Sequence, residues 1–184
     1  VVLSNQMMIT FMQRFKNGDF KEARKIADDM IFGFEKLKDT PEQLSKSFST
    51  LMGKKLFERQ LKSEGSPAKV VWIEQPIADG YYFHALLDFQ DKKVAAALEN
   101  LQKAIFWDPV RAAFFLERGF MMMHQETAPE LAMVLATYLK ALELAESRQD
   151  FAAAMRGIGF VFVEKVDLMA GLAAYLIAQK FDPE

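Results

Sequence analysis

An all-α fold built from antiparallel helix hairpins is what three features of this sequence predict. Apolar residues recur at i, i+3, i+4 and i+7 over most of its 184 residues, β-branched clusters are scarce, and from Pro76 onward related segments return at a regular interval. At 51% hydrophobic and 26% charged residues, the chain is too apolar for disorder and too charged for a membrane protein. No uncharged apolar run reaches the roughly 18 residues of a membrane span. Cysteine is absent, which excludes disulfide frameworks, zinc–thiolate sites and cysteine nucleophiles.

The elements follow in order. Met8, Phe11, Met12 and Phe15 form one apolar stripe, which stops at the turn signal Asn17-Gly18-Asp19. Asp19 can cap a second helix, where Phe20, Ala23, Ile26, Ala27, Met30, Ile31 and Phe34 repeat the pattern. Thr40-Pro41-Glu42-Gln43 reads as a helix start, with a threonine cap, proline at the first position and glutamine at the third. The helix it opens is expected to run through Leu51, Leu56 and Leu61 to about Lys62. Gly65-Ser66-Pro67 breaks it, and Lys69–Ile73 is the one β-branched cluster, read as an extended connector or at most a short strand. These signals place a helical region at 1–68, a hairpin plus one longer helix, and a repeat region at 69–184.

Within the repeat region Ala104, Ala141 and Ala178 are spaced by 37 and 37 residues. A small residue, Ala85, Gly119 or Gly159, occupies the middle of each preceding helix. Helices that pack closely need small side chains where they cross, so this pattern fits hairpins of about 76–109, 110–146 and 150–184.

The residues at these positions resemble the tetratricopeptide repeat (TPR). The first copy has Tyr81, Ala85, Ala97, Leu101, Ala104 and Pro109; the third has Gly159, Phe162, Gly171, Tyr175, Ala178 and Pro183. The second is weaker, with Phe115, Gly119, Met122, Val134, Tyr138 and Ala141, and Glu146 stands where proline belongs. Phe11, Gly18, Phe20, Ala23 and Met30 resemble a degenerate fourth copy. The segment order is also similar to that of bacterial proteins containing such repeats. The resemblance implies a right-handed TPR-like superhelix with a concave face formed by the first helix of each repeat, and no enzyme activity.

Helical projection places Tyr82, Leu86 and Phe89 on that concave face in the first repeat. Leu116, Phe120 and Met123 fall there in the second, and Arg156, Phe160 and Val163 in the third. So apolar a surface suits a peptide or helix of a partner protein, unless residues 1–68 fold into the groove and turn it into core. Of Met121, Met122 and Met123, at least one must be core, and Met122 fits that use best. Arg156 can meet a single acid of a partner or pair with a neighbour such as Glu117. The lysine and asparagine clamp by which some TPR proteins hold a C-terminal carboxylate is missing, with Tyr82, Leu86 and Leu116 in its place.

Catalytic patterns are missing. His84 and His124 lie 40 residues apart outside any His-Glu-x-x-His arrangement, so neither metal nor other cofactor is expected. Arg156-Gly157-Ile158-Gly159 follows no strand, and helix packing explains it better than a dinucleotide site. Asp88 and Asp91 read as solvated charges at a turn.

Residues 1–70 hold 13 basic and 9 acidic side chains, and residues 71–184 hold 10 and 16. An acidic main part lacks the broad basic surface that non-specific nucleic-acid binding needs, and no membrane insertion is expected. The composition points weakly to the cytoplasm, while the start at Val1 leaves room for a removed signal peptide. The expectation is therefore a non-catalytic interaction scaffold. Alternatives are a homo-oligomer stacked through the last repeat, since the sequence stops at a repeat end without a polar capping helix, or chaperone-like shielding of an apolar export substrate.

Overall fold

The computed structural model describes residues 2–34 and 37–183; Glu184, the expected end of the last repeat, lies outside them. Among the described residues the chain is mostly helical, with nine helices and one two-stranded parallel sheet. It divides into two compact units, Val1–Val110 and Arg111–Glu184. The change of composition near residue 68 falls inside the first.

The first unit starts with the hairpin α1 (Val2–Lys16) and α2 (Phe20–Ile31). Asp19 accepts a hydrogen bond from the Glu22 amide and caps α2 as the sequence suggests. The insert β1 (Gln43–Lys46), α3 (Leu51–Ser63) and β2 (Lys69–Trp72) follows, then the hairpin α4 (Ile77–Gln90) and α5 (Val94–Trp107). Helix α2 packs against α4 across the insert. Phe11, Ala23, Ala27, Met30, Phe83 and Leu87 form their shared core.

The helix expected from Thr40 to Lys62 is shorter than the sequence suggests. Thr40 does accept from the Gln43 amide, but that contact closes a turn leading into β1, and α3 begins only at Leu51 behind a Thr50 cap. The reason lies in partners outside a helix: the Ser47 hydroxyl donates to the Gln75 carbonyl at 2.6 Å and accepts from the Ile77 amide at 3.1 Å, and the backbone amides nearby are taken as well. The Ser45 amide donates to Asp39, the Ser47 amide to the Trp107 carbonyl, and the Ser49 amide to Asp108. Strand β1 pairs in parallel with β2, Leu44 facing Val70, so Lys69–Trp72 is the short strand.

The second unit contains the hairpins α6 (Ala112–Met122) with α7 (Leu131–Glu143), and α8 (Arg148–Glu164) with α9 (Leu168–Phe181). Phe114, Met121, Val134 and Val161 are fully buried in its core. Met121 joins Met122 inside while Met123 stays half-buried, so two of the three methionines are core.

The repetition extends to the backbone. In α1–α2, α4–α5 and α8–α9 the same three-residue turn closes each hairpin, its last amide reaching back five residues: Asp19 to Arg14, Lys93 to Asp88 and Asp167 to Phe162. The middle residue, Gly18, Lys92 or Val166, has a positive φ of 75°, 62° or 63°. The α6–α7 connection is longer and departs from this pattern.

Candidate functional site

In the first unit, the face predicted on α4 is largely occupied. Tyr82 and Leu86 pack against the cluster contributed by α1 and α2, and Phe89 is half-buried. Gly80 permits this closeness. A Cβ there would sit 2.7 Å from Ile31 Cγ2 and 2.8 Å from Met30 Cβ on α2; sequence reading singled out Ala85 for the crossing inside the hairpin and did not find this one. Part of the expected concave face is thus core, supplied by the N-terminal hairpin.

Polar groups on the same seam are paired. Arg24 on α2 holds Asp88 at 3.1 Å and Asp91 at 3.3 Å, and Asn100 donates to the second Asp88 oxygen at 2.8 Å. The reading of Asp88 as solvated is therefore corrected: it is buried, because α2 comes to rest where a lone hairpin would leave water. His84 lies 3.0 Å from Asp28, and burial lowers its pKa against the opposing pull of that carboxylate.

The second unit leaves its counterpart open. Leu116 and Phe120 on α6, and Ala153, Arg156 and Gly157 on α8, line a cleft of about 380 Å³ together with Glu117 and Tyr138. Phe120 remains 44% exposed and lies tilted against His124, with 4.3 Å between ring centres. One and two turns beyond Arg156 along α8, Phe160 and Val163 are exposed on the same side, at the i+4 and i+7 positions. Met123 follows Phe120 at the end of α6, half-buried. The structure thus brings Leu116, Phe120 and Arg156 to one cleft and sets Phe160 and Val163 on the helix face that continues from it.

Tyr138 on α7, assigned only a packing position from the sequence, is what shapes this cleft. Its ring lies between two glycines. A Cβ on Gly119 of α6 would come within 2.7 Å of it, and a Cβ on Gly157 of α8 would run into the same ring. Burial pushes the phenol up to about 12, with the Glu117 charge adding to the shift. Gly159 instead faces α9, where an added Cβ would sit 3.2 Å from both the Gly171 carbonyl oxygen and the Tyr175 ring, the same glycine–tyrosine contact inside its own hairpin. Sequence periodicity found Gly119 and Gly159. It assigned Gly157 to packing without finding its partner, because the contact joins two hairpins.

Arg156 donates to Asp182 at 2.9 Å. Its guanidinium stands at the cleft wall while tying α8 to the end of α9; Glu117, the neighbour considered from the sequence, lines the same cleft. Among the described residues no three His, Cys, Asp or Glu side chains are grouped to hold a metal, and no helix is long and apolar enough to cross a membrane.

Helices packed in sequential pairs, closed by a recurring turn and approached through glycines, define a TPR-like fold. Among solved structures the chain is similar to those of MamA, a TPR-containing protein. One MamA crystal structure is 18% identical over 93% of this chain and 93% of that one, with a TM-score of 0.52. A second, also 18% identical, covers 98% and 92% at 0.50, and the structure of MamA MSR-1 C2 is 13% identical over 100% and 98%, again at 0.50. At such identities the likeness is one of fold. No protein-family model and no curated protein sequence matches the chain.

Proposed function

We propose that this protein is a non-catalytic interaction scaffold that holds a peptide or helix of a partner protein on the α6–α8 face. The observation that carries the reading is the exposure of Phe120 and Phe160, 44% and 42%, on two adjacent helices beside a cleft that Tyr138 helps to line. Large rings left in water beside a preformed hollow are what partner chains bury most effectively, each worth about 2 kcal/mol at such a site. Leu116, Met123 and Val163 extend the apolar surface. Glu117 and Arg156 give it a polar edge that can orient the incoming segment.

The fold supports the same reading, since stacked helical hairpins present extended faces for other chains. Phe120→Ala together with Phe160→Ala abolishes capture of the partner from the native host by the immobilised protein, while helix content by circular dichroism stays unchanged. Partner capture that survives both substitutions contradicts this site.

A further inference from the structure

Helix α9 is apolar on nearly every side, yet only Gly171, Ala174 and Ala178 are buried, against α8. A helix of that composition has a second face to cover. Leu168, Met169, Leu172 and Leu176 keep 62%, 77%, 52% and 57% of their surface, and Tyr175 and Ile177 keep 36% and 42%.

At about 100 Å² for each of the first four, with the partial contributions of the others, the patch approaches 500 Å² of apolar area. That lies near the upper end of what a monomer leaves in water, roughly 300–600 Å². With a rim of Ala173, Gln179 and Lys180 it approaches the ~800 Å² per partner of a stable dimer.

We propose that this face is the interface of a two-fold dimer in which α9 packs antiparallel to α9 of a second copy. Met169, Leu172, Leu176 and Lys180 recur at intervals of three and four residues, the seam by which two helices interlock along their length. The same patch on both chains makes the contact self-complementary and closed at two copies.

Direction follows from charge. A parallel pair would set Lys180 against Lys180 and align the two helix dipoles. An antiparallel pair opposes the dipoles and carries Lys180 to the partner's first turn, where Asp167 caps the Ala170 amide at 3.1 Å. Ala173 then lies near the two-fold axis, and Met169 of one copy lies opposite Lys180 of the other. None of this depends on the α6–α8 face.

The absence of cysteine makes the test direct. Sedimentation of the 184-residue protein shows a dimer, and Leu172→Glu weakens association at least about 100-fold while circular dichroism stays unchanged. Under mild oxidation Ala173→Cys cross-links to itself; Met169→Cys and Lys180→Cys do so only when mixed with each other. A wild-type protein that stays monomeric overturns the proposal and assigns the face to a different chain. Association unaffected by Leu172→Glu, or self-linking of Lys180→Cys without self-linking of Ala173→Cys, overturns it as well.

Discussion

In the first unit the apolar side of α4 is met by the α1–α2 hairpin, which buries Phe11 and Met30 against Phe83 and Leu87 and draws Tyr82 and Leu86 into the same core. In the second unit α6 and α8 carry a comparable side, yet Phe120 and Phe160 keep 44% and 42% of their surface exposed. The two units also use their charges differently. Arg24 crosses from α2 to hold Asp88 and Asp91 on the first, while Arg156 reaches only to the end of the neighbouring α9 in the second. Equivalent faces of similar hairpins thus become core or stay exposed according to what lies beside them. A repeat pattern specifies the hairpin and leaves that choice to its neighbours.

The largest expected effect tests whether the second unit's cleft depends on close helix approach. Gly157→Ala forces a methyl group into the Tyr138 ring and costs about 3 kcal/mol in thermal or urea unfolding. Tyr138→Leu in the same chain returns part of that loss, a coupling that a double-mutant cycle measures. An unchanged melting temperature in Gly157→Ala would show that the ring is free to move and that the cleft floor is soft.

A smaller effect sharpens the likeness between units. Val166 holds the left-handed position that Gly18 fills in the first hairpin, and a β-branched side chain is strained there. Since its side chain is 81% exposed and packs little, Val166→Gly stabilises the protein by roughly 1 kcal/mol. A loss of stability on this substitution would contradict the equivalence of the three turns.

The smallest belongs to the first unit alone. Burial is the main cause lowering the His84 pKa, with Arg24 acting the same way and Asp28 and Asp88 opposing. A lowered folded-state pKa means that the unfolded chain takes up the proton first. The stability contributed by neutral His84 is therefore complete above its ordinary value of 6.5 and is lost as pH falls below it. His84→Gln flattens the acid limb of the unfolding free energy between neutral pH and pH 5, measured by urea titration. An unaltered limb would place the titration elsewhere.

Much of this architecture is legible from residue spacing, and the exceptions have specific causes. The 37-residue recurrence of Ala104, Ala141 and Ala178 marks second helices because each is buried at the same crossing, at 0%, 0% and 1% exposure. The Thr40–Gln43 start misleads because a threonine cap also begins turns, and only the pairing of β1 with β2 decides between them. Asp88 looks like a turn residue until Arg24, 64 positions away, is placed beside it. The site follows the same rule. Phe120 and Phe160 can be projected from helix period, whereas the burial of Tyr82 and Leu86, the salt bridge of Arg156 and the wedge of Tyr138 all depend on a second element whose position no local spacing encodes.

The contrast between a closed α4 face and an open α6–α8 face is tested most directly by amide hydrogen exchange with and without the captured partner. Added protection is expected over 112–122 and 148–164, with exchange over 77–90 unchanged. Protection that appears over 77–90 and leaves 112–122 and 148–164 untouched would contradict the account.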